Sequence, residues 1–199
     1  MQKTKLNRFI QKYNLNGNVN SVKWKSKDDS LSTSFVTSDK SLMGNVKVDK
    51  FLEHEKNMIR FGKPFNNKID YTRRPGAYAI INVKGKILLT FQESEIQLPG
   101  GGIDKNENPI QALHREVMEE TGWRIFIRKK IGIYQKFIFM PEYDLWAHKI
   151  CSVYLATGVH PISPPTEEEH LPFITEPETA ARILHSPADR AFVRKNFRI

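Results

Sequence analysis

Apolar and polar positions change rhythm along this chain. Leu6, Phe9, Ile10 and Tyr13 recur at helical spacing and predict a first helix, closed by a turn at Asn14 to Asn18 around Gly17. Val22 and Trp24, then Leu31, Thr33 and Phe35, then Val46 and Val48 alternate with polar residues, which predicts a small antiparallel meander. Phe51, Leu52, Met58 and Ile59 suggest another short helix before a loop at Gly62 to Asn67. From Gly76 the apolar runs grow denser. Ala77 to Val83 and Lys86 to Phe91 predict a hairpin about Lys84-Gly85, and Ile96 to Leu98 a short third strand.

Pro99-Gly100-Gly101-Gly102 reads as a turn that cannot be the interior of a helix or strand, because three glycines leave the backbone unrestrained and proline removes a donor. Asn108 offers a capping oxygen and Pro109 needs no N–H partner, so a helix begins at Pro109, and Gly122 ends it. Ile110, Leu113 and Val117 form its stripe for burial. Ile125 to Arg128, Ile131 to Phe139 and Ala147 to Ala156 read as strands. Thr175-Glu176-Pro177-Glu178 has the form of a capping box opening a helix to about His185, and Ser186-Pro187 opens another to about Phe197. The pattern predicts an α/β fold, a mixed sheet with helices on both faces.

The helix from Pro109 carries unusual chemistry. At 100° per residue Glu116 and Glu120 flank the apolar stripe within about 40° of each other, and Glu119 lies about 60° beyond Glu116. Like charges at such spacing destabilise a helix, so something cationic should offset them. Carboxylate oxygens beside a glycine carbonyl suit Mg²⁺ or Mn²⁺, and the sulfur or imidazole set that favours zinc is missing. Such an ion lowers the pKa of bound water and neutralises phosphate oxygens, which points to attack on phosphorus. Glu107 and Arg115 can pair and hold the glycine loop against the helix.

Gly101, Glu107, Arg115, Glu116, Val117, Glu119, Glu120, Gly122 and Trp123 together match the box G-x5-E-x7-R-E-U-x-E-E-x-G-U, where U is bulky and apolar. A chance match to its seven fixed positions arises about once in 10⁸ starting points. On these residues the chain resembles the Nudix (MutT-like) hydrolases, and the order of elements over residues 71–199 resembles their α/β/α sandwich. The resemblance implies metal-dependent hydrolysis of a pyrophosphate bond in a nucleoside di- or triphosphate derivative, by attack of a metal-activated water on phosphorus. It assigns Mg²⁺ or Mn²⁺ to Glu116, Glu120 and the Gly100 carbonyl, with Glu119 as a shared ligand or as the base. Gly102 would allow close approach of phosphate. The alternative is a non-catalytic nucleotide- or RNA-binding module of the same fold; such modules commonly lose box carboxylates, and all are kept here.

Other candidates rest on less. Arg73 and Arg74, before the first strand of the hairpin, have the charge to hold a terminal phosphate. Tyr143 and Trp146 have rings to stack on a base. Glu167-Glu168-Glu169 is the one comparable downstream acidic cluster, which by the resemblance is a candidate fourth ligand or base, although a run of glutamates is more often a solvated loop. His148 and His170 read first as ordinary packed or surface residues.

Composition narrows the setting. The chain has 199 residues, 39% hydrophobic and 27% charged, with no apolar run near the roughly 20 residues needed to cross a bilayer. No signal-peptide segment is evident, and a single cysteine, Cys151, fits a reducing compartment, so a cytoplasmic location is expected. Residues 1–70 hold 14 Lys/Arg against 7 Asp/Glu and so supply +7 of the net +9. Such a segment can attract polyanions, RNA included, although lysines that merely keep it soluble are the favoured reading. Residues 1–70 are expected to be a small α+β extension, too short to be robust alone, that packs on residues 71–199 or on a second copy in a homodimer.

Overall fold

The structure, a computed structural model, describes Gln11, residues 19–21 and residues 58–199. The expected first helix beyond Gln11 and the meander from Val22 to Val48 lie outside the described residues. Of the helix read from Phe51 to Ile59, Met58 and Ile59 are described and neither is helical.

The strands are β1 (Val19–Ser21), β2 (Thr72–Val83), β3 (Lys86–Gln92), β4 (Glu95–Gln97), β5 (Gly100–Gly102), β6 (Trp123–Met140), β7 (Leu145–Pro161) and β8 (Leu171–Thr175). The helices are α1 (Pro109–Thr121), α2 (Pro177–Ile183) and α3 (Pro187–Phe197). One mixed sheet runs β1-β8-β3-β2-β7-β6, with β4 added to β3 and β5 to β2. Only β2 and β7 pair in parallel among these strands.

Side chains alternate between two cores. Ala77, Ala79 and Ile81 of β2 and Tyr154 and Ala156 of β7 meet Leu113 and Val117 of α1. Ile80, Cys151, Val153 and Tyr134 lie on the other face, under Ala180, Ala181, Leu184, Phe192 and Val193 of the two terminal helices. The three-layer α/β arrangement follows from strands apolar on both faces.

Local signals acted as expected at several places. Val83 pairs with Lys86 across a two-residue turn in which Lys84 and Gly85 have φ of 52° and 88°. The Asn108 side chain accepts from the amides of Ile110 and Gln111, and the Gln111 side chain accepts from the Asn108 amide. Gly122 ends α1 in the left-handed region, φ 67°. Ser186 caps α3.

Elsewhere the structure differs. Gly100–Gly102 is a strand, antiparallel to Gly76–Tyr78. It pairs because it has no side chains: a Cβ at Gly100, whose φ is +131°, would overlap the Ala77 carbonyl. The two strands expected between Ile125 and Phe139 are one, β6, bent by register shifts at Arg124/Ile125, Ile127/Lys129 and Lys130/Gly132 that break its alternation. Thr175 does not open a capping box, because it ends β8 opposite Ile87 and is fully buried; α2 is preceded by Glu176, whose side chain caps nothing. Ile110 is 40% exposed, since the first turn of α1 stands clear of the sheet, and the buried stripe continues instead through Leu113, Val117, Glu120 and Thr121. Glu120 is therefore on the buried stripe rather than beside it.

Candidate active site

The strand β5 determines how the box residues meet. The Ala79 amide donates to the Pro99 carbonyl and the Ile103 amide to the Pro75 carbonyl. In an antiparallel pair such bonds fall on alternate residues, so the N–H and C=O of Gly100 and Gly102 point away from β2. Both turn toward α1. The Gly100 amide donates to Glu120 Oε2 at 2.9 Å, and the Gly102 carbonyl accepts from Arg115 Nη2 at 3.1 Å. An extended residue turns its N–H and C=O to the same side, so the Gly100 carbonyl also leaves β2.

Arg115 is the hub of the loop. Its Nε and Nη2 bond Glu107 Oε1 and Oε2 at 2.7 and 2.9 Å, and its Nη1 reaches Glu116 Oε1 at 2.8 Å and Glu119 Oε2 at 3.0 Å. This pairing lowers the Glu107 pKa below the ordinary carboxylate value and raises that of Arg115. Glu107 also accepts from the Asp104 amide, 3.1 Å, which ties down the loop entering α1.

Burial dominates the other carboxylates. The Glu120 carboxyl, 9% exposed at the side chain, is pushed well up by desolvation, against the Gly100 bond and with repulsion from Glu116, Glu167 and Glu119 added. Glu116 is also raised, because its burial outweighs the Arg115 contact. Glu119 is more open, with 35% of its side chain exposed.

The loop between β7 and β8 folds back on the end of α1, where the Thr166 and Glu167 amides donate to the Glu119 carbonyl at 2.9 and 3.2 Å. It delivers His170, buried, with Nε2 3.5 Å from Glu120 Oε1 and Nδ1 2.8 Å from Glu167 Oε2. One ligand atom from each of Glu120, Glu167 and His170 lies within 4.8 Å of the others. A set rich in buried, mutually repelling carboxylates beside a backbone carbonyl fits a hard divalent cation.

Gly100, Gly102, Glu107, Arg115, Glu116, Glu119 and Glu120 thus come together. Tyr143 and Trp146 make their ring contacts elsewhere. Trp146 packs on Phe139 and Tyr71, whereas Tyr143 lies under the Arg74 guanidinium at 4.3 Å. Arg73 and Arg74 project from opposite faces of β2, Arg73 alongside His148. His148 is packed, stacked on Phe137 at 4.6 Å and bonded to Gln135 at 2.9 Å. The packing of Glu167 and His170 against the box had no signal beyond the acidic run, since it depends on where the loop lands.

Residues 70–195 match the family model described as NUDIX domain. A Bacillus subtilis protein named putative 8-oxo-dGTP diphosphatase is 34% identical over 74 residues, 36% of this chain and 50% of that protein. A Bartonella tribocorum protein named RNA pyrophosphohydrolase is 41% identical over 56 residues, 23% of this chain and 32% of that one. The chain thus spans half or less of the length of these relatives. Among solved structures, an Ap4A hydrolase from C. elegans has a TM-score of 0.52 at 21% identity, covering 63% of this chain and 96% of the other. A NUDIX hydrolase from Nitrosomonas europaea gives 0.52 at 18% identity, covering 63% and 88%. At such identity these two speak to the fold alone.

Proposed function

The chain belongs to the Nudix family, and from that premise we propose that it is a metal-dependent pyrophosphohydrolase acting on a nucleoside di- or triphosphate derivative, with residues 71–199 as its hydrolase domain. The observation that carries this reading is the buried Glu120 carboxylate, held by the Gly100 amide and faced by Glu116, Glu167 and His170. The names of the relatives, a diphosphatase and an RNA pyrophosphohydrolase, support the same bond as the target.

In this reading Glu116, Glu120 and the Gly100 carbonyl hold Mg²⁺ or Mn²⁺, with Glu119 at the open side. When bound, the ion supplies a more acidic water and shields the charge of phosphate oxygens. Glu119 accepts the proton, since it is the most open of the three and Arg115 holds its carboxylate in place. Arg115 and Glu107 fix the loop so that Gly100 and Gly102 keep their orientation, and the bare backbone at Gly102 lets a phosphate approach. Arg73, Tyr143 and Trp146, at the far end of the sheet, are proposed to contact the rest of the nucleotide.

The test is a panel of nucleoside triphosphates, oxidised nucleotides, ADP-ribose, dinucleoside polyphosphates and 5′-triphosphorylated RNA, with and without Mg²⁺. Turnover that needs the ion and falls by more than about 100-fold in folded Glu120→Gln is expected, since even residues behind the ligands are worth 10 to 100-fold. A panel without turnover would move the chain to a binding role.

A further inference from the structure

Three cations stand in a row that the proposed chemistry does not use. Arg74 pairs with Lys149 in the parallel β2–β7 register, and Lys149 pairs with Lys136 in the antiparallel β6–β7 register. Residues paired in register project from one face of a sheet. Here it is the face of Cys151 and Tyr134, which belong to the core beneath α2 and α3. The row lies one step beyond that pair along the same strands, and all three residues are half-buried.

Among the described residues none of the three forms an ion pair with a carboxylate. Aromatic rings hold two of them instead: Arg74 lies over Tyr143, and Lys149 Nζ is 5.9 Å from the Tyr78 ring centroid. Lys136 has its pKa lowered, first by burial and then by the Lys149 charge, against weaker attraction from Cys151, Asp189 and Glu95. Like charges opposed across neighbouring strands are destabilising. The buried Asp189 offsets part of this charge, and the cations left over call for a further anion.

Its position says which anion. Tyr78 pairs with Gly100, the residue that donates to Glu120. The Tyr78 ring reaches over Gly76, where the Gly101 carbonyl also lies, and its other neighbour is Lys149, so it adjoins both the glycine strand and the row. Arg74 lies one strand over from β5 and four residues beyond the Tyr78–Gly100 pair, and Lys136 lies three strands over at the same level, so at about 4.8 Å per strand and about 3.3 Å per residue the row is about 14 to 20 Å from Gly100, a gap its long side chains narrow. Because α1 packs on the other face of the sheet, a substrate whose pyrophosphate lies at the box reaches the row only with a second part that passes the β5 edge.

We propose that Arg74, Lys149 and Lys136 form a subsite for a substrate phosphate lying outside the pyrophosphate bond that is broken. The preferred substrate is then a nucleotide derivative with a further phosphate, either the internucleotide phosphate of a 5′-triphosphorylated oligonucleotide or the distant phosphate of a dinucleoside polyphosphate. The proposal rests on the hydrolase reading for the identity of the bond cut, but the row's affinity for phosphate can be measured without it.

Steady-state rates of the full chain with Mg²⁺ are compared on a nucleoside triphosphate, a 5′-triphosphorylated dinucleotide and a dinucleoside tetraphosphate. Lys136→Gln and Lys149→Gln should raise KM by about tenfold or more for the substrate with the further phosphate and leave the nucleoside triphosphate unchanged. Whichever of the two longer substrates loses its advantage identifies the source of that phosphate. Equal effects on all three substrates overturn the subsite. Binding of the 5′-triphosphorylated dinucleotide in EDTA needs no turnover: affinity that weakens in both variants supports the row even if the hydrolase reading fails, and unchanged affinity in folded variants refutes it.

Discussion

The amide of Gly100 and the carboxylate of Glu120, twenty residues apart in sequence, meet at 2.9 Å. This bond joins the glycine strand to the buried stripe of α1.

Gly100→Ala and Gly101→Ala should fail differently. At Gly100 the new Cβ meets backbone at a positive φ, so the chain should lose stability, with a lower Tm in thermal unfolding. At Gly101 it meets the Glu116 carboxylate, a mobile group that can swing away. The fold should then persist while Mn²⁺ affinity, followed by paramagnetic resonance, drops about tenfold or more. Equal unfolding in both would contradict this contrast.

Glu120 should make the metal-free protein sensitive to pH. Its folded pKa is raised, so its contribution to stability is complete below the unfolded carboxylate pKa and is lost as pH rises through the folded value. In EDTA, Glu120→Gln should therefore unfold at a higher temperature than the parent at neutral pH, with the difference vanishing near pH 4. Mg²⁺ should raise the Tm of the parent and not of the variant. A neutral-pH Tm equal to the parent's would count against the buried charge.

Asp189 is raised to about 6 by burial, although Lys136, Tyr134 and Ser186 favour its charged form. The sign is the same: stability present below its unfolded pKa is lost as pH climbs through about 6. Asp189→Asn should be neutral at pH 4 and stabilising at pH 8 by urea denaturation. A variant less stable at pH 8 would reverse the argument.

Arg115→Lys should cost about 2 kcal/mol in urea unfolding, because an ammonium cannot replace the fork on Glu107 while also reaching Glu116, Glu119 and Gly102. A double-mutant cycle with Glu107→Gln should give coupling above about 1 kcal/mol, beyond an ordinary exposed pair. Coupling near zero would reduce the pair to surface decoration.

Leu113→Ala should cost about 2 to 5 kcal/mol by the same measurement and Ile110→Ala less than about 1, since Leu113 is fully buried and Ile110 40% exposed. Comparable losses would restore the stripe expected from periodicity.

What could be read beforehand depended on whether a residue acts locally. Asn108, Gly122, Ser186 and the Lys84-Gly85 turn set backbone geometry within a few positions, so their effects were visible. The glycine strand was not, because period-two alternation needs side chains to alternate. Lys129 and Lys130 hid the continuity of β6, where register shifts move polar residues onto the wrong phase. β8, five residues with Pro172 inside, was too short to declare itself. The box carboxylates were placed by helical geometry, but the burial of Glu120 and the arrival of His170 depend on the sheet and a distant loop. The opposite directions of Arg73 and Arg74 become visible only once β2 is known to begin at Thr72.

Finally, β8 is bonded along both sides, by β3 and by Val19–Ser21, whose partners are Phe173, Ile174 and Thr175. A version of the protein shortened to residue 58 onward would lay those backbone groups bare to water. Unsatisfied strands recruit one another. Val19–Ser21 covers that edge of the sheet, and removal of the residues before 58 should bring self-association at high concentration.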